Sequence, residues 1–199
     1  MDNYRHSITK EEIEGLPLAD FNGEIVIIDS PGRKLNNAVR YLSGQKIIGF
    51  DTETKPNFVP GERRNHVALL QLSGRDRVYL FRTCSMGLDE KVASLLSDEN
   101  ILKVGAAVKD DINGLCRLRN FIPGAFVDLQ SMVKQYGITD LSVKKMAAIV
   151  LGVKVSKAQR LTNWEAGELT EAQAKYAAID AWVCREIYMR LGKNDNSNH

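Results

Sequence analysis

The fold is decided by the stretch Lys46-Ile47-Ile48-Gly49-Phe50-Asp51-Thr52-Glu53-Thr54, in which an apolar run leads directly into acidic side chains. An unbroken apolar run of this length predicts a strand covered on both faces, and therefore a central strand of a sheet. Residues two apart in extended backbone share a face, so the carboxylates of Asp51 and Glu53 point the same way. Such oxygen ligands suit Mg²⁺ or Mn²⁺, although an Asp and a Glu after a strand are also common in solvated loops.

Further strand and helix signals surround this central run. The predicted strands are 23–29, 46–51, 66–72, 77–81 and 101–107, and the middle three are expected to form a meander. The predicted helices are a short one opened by a capping box at Thr9 and Glu12, then 35–42, 88–96, one that begins near 108, 128–136, 141–151 and 171–191. This order is typical of a single α/β layered domain. We predict a domain over 23–191, preceded by an N-terminal extension over 1–22 and followed by a disordered polar tail over 192–199.

Composition limits the class of protein. The chain has 199 residues, of which 44% are hydrophobic and 26% are charged, so it can bury one core and is not a disordered or collagen-like chain. Its formal charge of +2 neither requires nor excludes a polyanionic partner. The longest apolar run is far shorter than the ~20 residues of a membrane helix, and the N-terminus lacks the layout of a signal peptide. We therefore expect a cytoplasmic protein without a membrane segment.

Cysteine and histidine usage restricts the type of metal site. The three cysteines, Cys84, Cys116 and Cys184, are odd in number and widely spaced, which favours a reducing compartment. With three histidines and no cysteine pair at metal spacing, a zinc site of Cys and His ligands lacks its ligands. Any bound metal is expected to have oxygen ligands.

Two further segments carry acidic residues at helical positions. Asp111 falls on the apolar stripe that begins at Val108, whereas Asp110 falls with the solvent-facing residues. Tyr176 and Asp180 are four residues apart in the long C-terminal helix and share one of its faces. Each feature alone is more often structural, but together with the central strand they supply four carboxylates and a phenol. Two divalent cations, about 3.5 to 4 Å apart, would neutralise such a cluster.

These segments resemble the motifs of a known family, the DEDD exonucleases with the tyrosine form of the third motif (DEDDy), in the DnaQ-like and ribonuclease H-like superfamily. Residues 49–54 are similar to the first motif, 104–111 with Leu115 to the second, and 176–181 to the third. The segments 67–72, 151–152, 162–164 and 169–173 also resemble family strings. The resemblance covers 24–191, and within the family the chain is more similar to the Werner syndrome exonuclease domain than to ribonuclease D.

The resemblance implies a ribonuclease H-like fold, with a mixed sheet of five or slightly more strands flanked by helices. It implies stepwise 3′-to-5′ removal of nucleoside monophosphates with two divalent cations, Mg²⁺ or Mn²⁺, as cofactors. The implied metal ligands are Asp51, Glu53, Asp111 and Asp180. Tyr176 is expected to position the attacking water and the scissile phosphate rather than to act as a general base, since an unperturbed phenol has a pKa near 10.

The expected substrate is single-stranded or 3′-recessed nucleic acid, with DNA favoured over RNA. The candidate contacts are Thr52, Thr54, Phe58, Arg63, Arg64, Lys144, Lys145 and Trp164, together with Lys154, Lys157 and Arg160. Phe58 and Trp164 are candidates for stacking on bases, although core packing is the favoured role for Trp164. A ribonuclease D-like enzyme that trims RNA and a catalytically weak nucleic-acid-binding module are the alternative functions. Gln71 lies on an otherwise apolar strand, where a buried amide needs a partner, and is interpreted as structural.

Overall fold

The structure is a computed structural model that describes residues 4–58 and 65–196. Its strands are β1 (Glu24–Ile28), β2 (Ile47–Thr54), β3 (Val67–Ser73), β4 (Arg77–Phe81), β5 (Leu102–Gly105) and β6 (Phe126–Asp128). They form one six-stranded sheet in the order β1-β4-β3-β2-β5-β6. The strand expected to be central, β2, therefore lies in the interior of the sheet.

The sheet is mixed. Strands β2, β3 and β4 form the expected antiparallel meander, whereas β1 runs parallel to β4, β5 to β2, and β6 to β5. Every residue of β3 is buried, which accounts for its apolar sequence. The ladder between β2 and β3 shifts register between Glu53 and Thr54, so the strand deviates from regular pairing directly beside its acidic residues.

The described part of the chain contains eight α-helices. They are α1 (Lys10–Glu14), α2 (Arg33–Ser43), α3 (Thr83–Met86), α4 (Glu90–Ser97), α5 (Val108–Leu118), α6 (Leu129–Met132), α7 (Val143–Leu151) and α8 (Glu171–Asn196), with a 3₁₀ helix at Val133–Tyr136. The single helix predicted over 128–136 is wrong. The segment contains the end of β6, then α6, which is capped by the Asp128 carboxylate, and then the 3₁₀ helix.

The C-terminal helix is longer than the sequence predicts. Helix α8 continues to Asn196, beyond the end at 191 that the sequence predicts, and 197–199 of the expected polar tail lie outside the described residues. Gly192 gave the signal for an early end. A glycine inside a helix costs only about 1 kcal/mol relative to alanine, which a long packed helix tolerates.

Helices cover both faces of the sheet. Helix α8 crosses β2 and β3 on one face with α7 packed behind it, while α2, α4 and α5 belong to the core on the other face. The crossing at β2 is very close, because a Cβ atom on Gly49 would lie 1.9 Å from the Ala181 carbonyl oxygen. Glycine is therefore required at this position for α8 to approach the strand that carries the acidic residues.

The N-terminal extension is folded against the body of the protein. Ile8 and Ile13 are buried together with Ala148 of α7, and a backbone hydrogen bond of 2.8 Å joins the Ala19 N–H to the Lys154 carbonyl. The predicted capping box at the start of α1 is present. Among the described residues there is no helix with the length and apolar character needed to cross a membrane.

Candidate active site

Three carboxylates meet where α8 crosses β2. Asp51 and Glu53 share the face of β2 that α8 covers, and Asp180 lies on α8 itself. One oxygen from each carboxylate lies within 4.8 Å of the oxygens of the other two. The i, i+2 spacing of the strand and the close approach of the helix at Gly49 together produce this arrangement.

Burial and mutual repulsion disfavour the charged forms of these three acids. The pKa of Asp51 is raised well above its usual range by burial, and further by the charges of Asp180 and Glu53. Burial, followed by the charge of Asp180, raises the pKa of Glu53 to about 8. Burial also raises the pKa of Asp180, against a hydrogen bond from Tyr176 and the positive charge of Lys157. A cluster of this kind requires a compensating positive charge if all three groups are ionised.

The donor set fits a hard divalent cation. All three donors are carboxylate oxygens, which are the ligands that Mg²⁺ and Mn²⁺ prefer in proteins. The pKa values of Asp51 and Glu53 are raised because these groups are buried beside other negative charges. A bound cation would supply the compensating positive charge. The three residues can therefore hold the metal that the sequence predicts.

The fourth predicted ligand, Asp111, lies beside this group rather than within it. Its Oδ1 atom accepts a hydrogen bond of 2.5 Å from the Thr52 hydroxyl, on the side of β2 opposite to Asp51 and Glu53. Burial raises the pKa of Asp111 to about 6, and its charge contributes to the raised pKa of Asp51. Asp110 is exposed, as its helical position predicts. Thr52, a candidate for contact with nucleic acid, is already engaged with Asp111.

Tyr176 is a neutral hydrogen-bond donor to the acidic group. Burial and the charges of Asp180 and Glu53 raise the pKa of its phenol further above the usual value of 10, and the phenol is hydrogen-bonded to the Asp180 carboxylate. Its ring packs against Trp164, with ring centroids 6.0 Å apart and an interplanar angle of 37°. The i, i+4 spacing in α8 thus places the phenol over the carboxylate, as the sequence predicts.

The loop before α8 is held in place by buried contacts next to Tyr176. Trp164 in this loop is 0% exposed, as expected for a ring packed in the core, and its ring surface is not accessible for stacking on a base in this structure. The buried guanidinium of Arg82 donates hydrogen bonds to the carbonyls of Ala166 and Gly167. No local sequence pattern identifies Arg82, because its partners lie 84 and 85 residues further along the chain.

Gln173 holds the same loop from the helix side. It forms a capping box with Thr170, since each residue's backbone N–H donates to the other's side-chain oxygen, at 3.0 and 3.1 Å. Its amide nitrogen also donates to the Asn163 carbonyl at 3.3 Å. The Thr170-x-x-Gln173 spacing is a sequence signal of a helix start that could have identified this residue.

The remaining candidate contacts have varied environments. Lys144 forms an ion pair of 3.1 Å with Glu14, and Lys145 one of 2.7 Å with Asp140. Phe58 is 75% exposed. The other candidates are Thr54, which lines a cavity of about 260 Å³ beside Asp111, Lys154, which is paired with Glu14, and Arg63 and Arg64, which lie outside the described residues.

Two basic residues, Lys157 and Arg160, act electrostatically on the clustered acids. The charge of Lys157 lowers the pKa of Asp180, and that of Arg160 lowers the pKa of Glu53. Both line a cavity of about 160 Å³ together with Asp51, Tyr176 and Asp180. This cavity therefore combines positive side chains with two of the three clustered carboxylates.

Similarity to known proteins agrees with the resemblance in the sequence. A family model described as 3′-5′ exonuclease matches residues 26–194. Ribonuclease D of Gluconacetobacter diazotrophicus is 30% identical over 79% of this chain and 40% of its own length. The bifunctional 3′-5′ exonuclease/ATP-dependent helicase WRN of Mus musculus is 32% identical over 90% of this chain but 13% of its own length. The chain thus spans less than half the length of these two relatives.

Solved structures share the fold. The EXO domain of Aedes aegypti Nibbler superposes with a TM-score of 0.74 at 24% identity, over 95% of this chain and 92% of that domain. The mixed sheet flanked by helices is therefore the ribonuclease H-like fold of such exonucleases, with six strands. On the extent of the family match and the identity to these relatives, the chain belongs to the 3′-5′ exonuclease family.

Proposed function

We propose that this chain is a metal-dependent 3′-5′ exonuclease that hydrolyses phosphodiester bonds at the 3′ end of nucleic acid and releases nucleoside monophosphates. The observation that carries the proposal is the convergence of Asp51, Glu53 and Asp180, whose oxygens lie within 4.8 Å of one another. Membership of the family supports the reaction and its direction.

Asp51, Glu53 and Asp180 would hold two divalent cations, with Asp111 acting directly or through water. Mg²⁺ or Mn²⁺ bound there supplies positive charge that makes water more acidic and stabilises the charge that develops on the phosphate and the leaving oxygen. These four acids provide a partly buried, oxygen-rich surface, and none of them is required as a covalent nucleophile. Thr52 fixes the orientation of Asp111 through its hydroxyl.

Tyr176 would orient the attacking water and the scissile phosphate. Its raised pKa keeps the phenol protonated at neutral pH, so it acts as a hydrogen-bond donor and not as a general base. Lys157 and Arg160, in the cavity beside the acids, would attract the phosphates of the terminal nucleotides. The exposed ring of Phe58 is available for stacking on a base.

We propose single-stranded or 3′-recessed DNA as the preferred substrate, on the resemblance to the Werner syndrome exonuclease domain. Trimming of RNA 3′ ends is the second candidate, and the similarity to ribonuclease D favours it. The two candidates share the same acidic centre and differ in whether the protein contacts the 2′-hydroxyl group.

The test uses matched DNA and RNA oligonucleotides, labelled at the 5′ end and either single-stranded or 3′-recessed, incubated with Mg²⁺, Mn²⁺ or chelator. A ladder that shortens from the 3′ end only with metal is the expected result, with faster shortening of DNA. Faster shortening of RNA would select the second candidate. Binding of the oligonucleotide without any ladder would contradict the proposal and favour a nucleic-acid-binding module.

A further inference from the structure

Gln71 is a buried amide without a partner, directly beside the acidic cluster. It lies in the middle of β3, and its Cα is paired with that of Asp51 on β2 and with that of Leu80 on β4. The residue is 0% exposed. Within the part of the chain that the structure describes, neither its amide nitrogen nor its amide oxygen has a hydrogen-bond partner.

The register of the sheet puts this amide on the same side as the metal-binding acids. Directly paired residues of antiparallel strands project their side chains from the same face, with Cβ atoms roughly 4.5 to 5.5 Å apart. The Gln71 side chain therefore leaves β3 beside that of Asp51, on the face of the sheet that α8 covers. Its neighbours Leu70 and Leu72 project from the other face, into the core between the sheet and helices α2, α4 and α5.

The unpaired amide of Gln71 lowers the stability of the folded protein. A buried donor or acceptor left without a partner costs about 1 to 3 kcal/mol. Leu69, two residues before Gln71 and on the same face of β3, is fully buried in the core under α8, so this face of the strand accommodates an apolar side chain of similar volume. A buried amide that has no partner in the structure needs one that forms under other conditions. The Asp51 carboxylate, on the residue paired with Gln71 across the ladder, is a polar group placed to be that partner.

We propose that Gln71 is a positioning residue, whose amide N–H group donates a hydrogen bond to the Asp51 carboxylate and orients its oxygens for the cations. This inference rests on the proposed function, because it assigns cations to Asp51. Groups that orient metal ligands in this way typically contribute a factor of about 10 to 100 to metal affinity or activity.

The experiment compares wild-type protein with Gln71→Leu and Gln71→Met, two variants that delete the amide and keep the volume. Leu72→Met is the matched control, since it lies on the same strand but projects from the opposite face. Calorimetry measures the Mn²⁺ dissociation constant of metal-stripped protein, thermal melting in chelator measures folding, and a labelled oligonucleotide gives kcat and KM.

The proposal expects both Gln71 variants to melt at or above the wild-type temperature in chelator, because an unpaired amide is gone. Their Mn²⁺ dissociation constants rise about tenfold or more, and kcat falls with little change in KM. The control keeps wild-type Mn²⁺ affinity. Variants that fold and bind Mn²⁺ within twofold of wild type would overturn the proposal, and so would failure of both variants to fold, which indicates a structural amide.

The same experiment separates this inference from the proposed function. If the wild-type protein binds Mn²⁺ but degrades no oligonucleotide, the exonuclease proposal fails while the calorimetric comparison still decides the role of Gln71. If the wild-type protein binds no Mn²⁺, the inference about Gln71 is overturned together with the metal assignment.

Discussion

At the scale of single residues, Asp51 and Glu53 gain their proposed role from their surroundings and not from their own chemistry. On a solvated loop the same two carboxylates would be ordinary surface charges. Here they are partly buried and faced by Asp180, so burial and repulsion raise the pKa of Glu53 to about 8. A site that disfavours charge in this way gains most from a bound cation, which is the physical basis of the metal proposal.

Replacement of the phenol tests the role of Tyr176. The change Tyr176→Phe removes the hydrogen bond to Asp180 and leaves the ring packed on Trp164. We expect kcat to fall about tenfold, which is less than the 10²- to 10⁴-fold contribution that is typical of a general base. Steady-state kinetics with a labelled oligonucleotide measure the effect. A loss beyond about 10³-fold, or no loss at all, would contradict a positioning role.

The residue positions that sequence could predict are those set by local periodicity. The i, i+2 spacing of a strand predicts that Asp51 and Glu53 share a face, and the helical stripe predicts that Asp111 is buried and Asp110 exposed. The hydrogen bond between Thr52 and Asp111 joins residues 59 positions apart in the chain, and no local pattern reports it. Lys144 shows the same limit, because its ion pair with Glu14 joins residues 130 positions apart in the chain.

At the scale of elements, the site depends on how closely α8 approaches β2. Gly49 makes this approach possible because its missing side chain leaves room for the Ala181 carbonyl. This contact fixes the position of Asp180, which directly precedes Ala181, relative to the acidic residues of β2. The proposed metal site is thus a property of two packed elements and not of any one motif.

The addition of one methyl group at Gly49 tests the contact between β2 and α8. In Gly49→Ala the new Cβ would lie 1.9 Å from a backbone oxygen, so α8 or β2 must shift. We expect the free energy of unfolding to fall by about 3 kcal/mol or more, at or above the upper end of the range for overpacked cores. Urea denaturation measures the change.

The matched control is Gly192→Ala in the same helix, where a new Cβ meets nothing within 4 Å. Because alanine favours a helix over glycine by about 1 kcal/mol, this variant should be slightly more stable than wild type. Equal stability of Gly49→Ala and the wild-type protein would contradict the account of the helix–strand contact.

Elements with a long periodic pattern, or with a capping box as in α1, were predictable, whereas the three-residue strand β6 was not. The core strands and α8 carry enough residues for the pattern to be read, and their order predicts the layered α/β architecture. Strand β6 has three residues, too few to display a two-residue period, and it was missed. The start of α6 at the end of this strand was consequently merged into one predicted helix.

At the scale of the whole molecule, one buried charge makes stability depend on pH. Lys103 on β5 is 0% exposed, and its ammonium donates a hydrogen bond of 2.5 Å to the Asp98 carbonyl. Burial lowers its pKa to about 8, whereas an unfolded lysine has a pKa near 10.4. Between these two values the unfolded chain binds more protons than the folded protein does, so the free energy of unfolding rises as the pH increases.

We therefore expect the wild-type protein to gain about 1 to 2 kcal/mol relative to Lys103→Met when the pH is raised from 8 to 9.5. Below pH 8 both states bind the proton, and the difference between the two proteins is constant. Urea denaturation of both proteins at several pH values measures this, and the variant removes the contribution of other titrating groups. A difference that is independent of pH would contradict a depressed pKa at Lys103.

The most direct test of the central claim is the single-turnover rate of 3′-end cleavage by wild-type protein and by Asp51→Asn, each with Mg²⁺ or Mn²⁺ and with chelator. Asp110→Asn is the matched control, because it makes the same change at an exposed acid next to Asp111. We predict that Asp51→Asn folds but loses nearly all cleavage, that the control cleaves at the wild-type rate, and that chelator abolishes cleavage by every protein. Normal cleavage by folded Asp51→Asn, or cleavage that persists in chelator, would contradict the account.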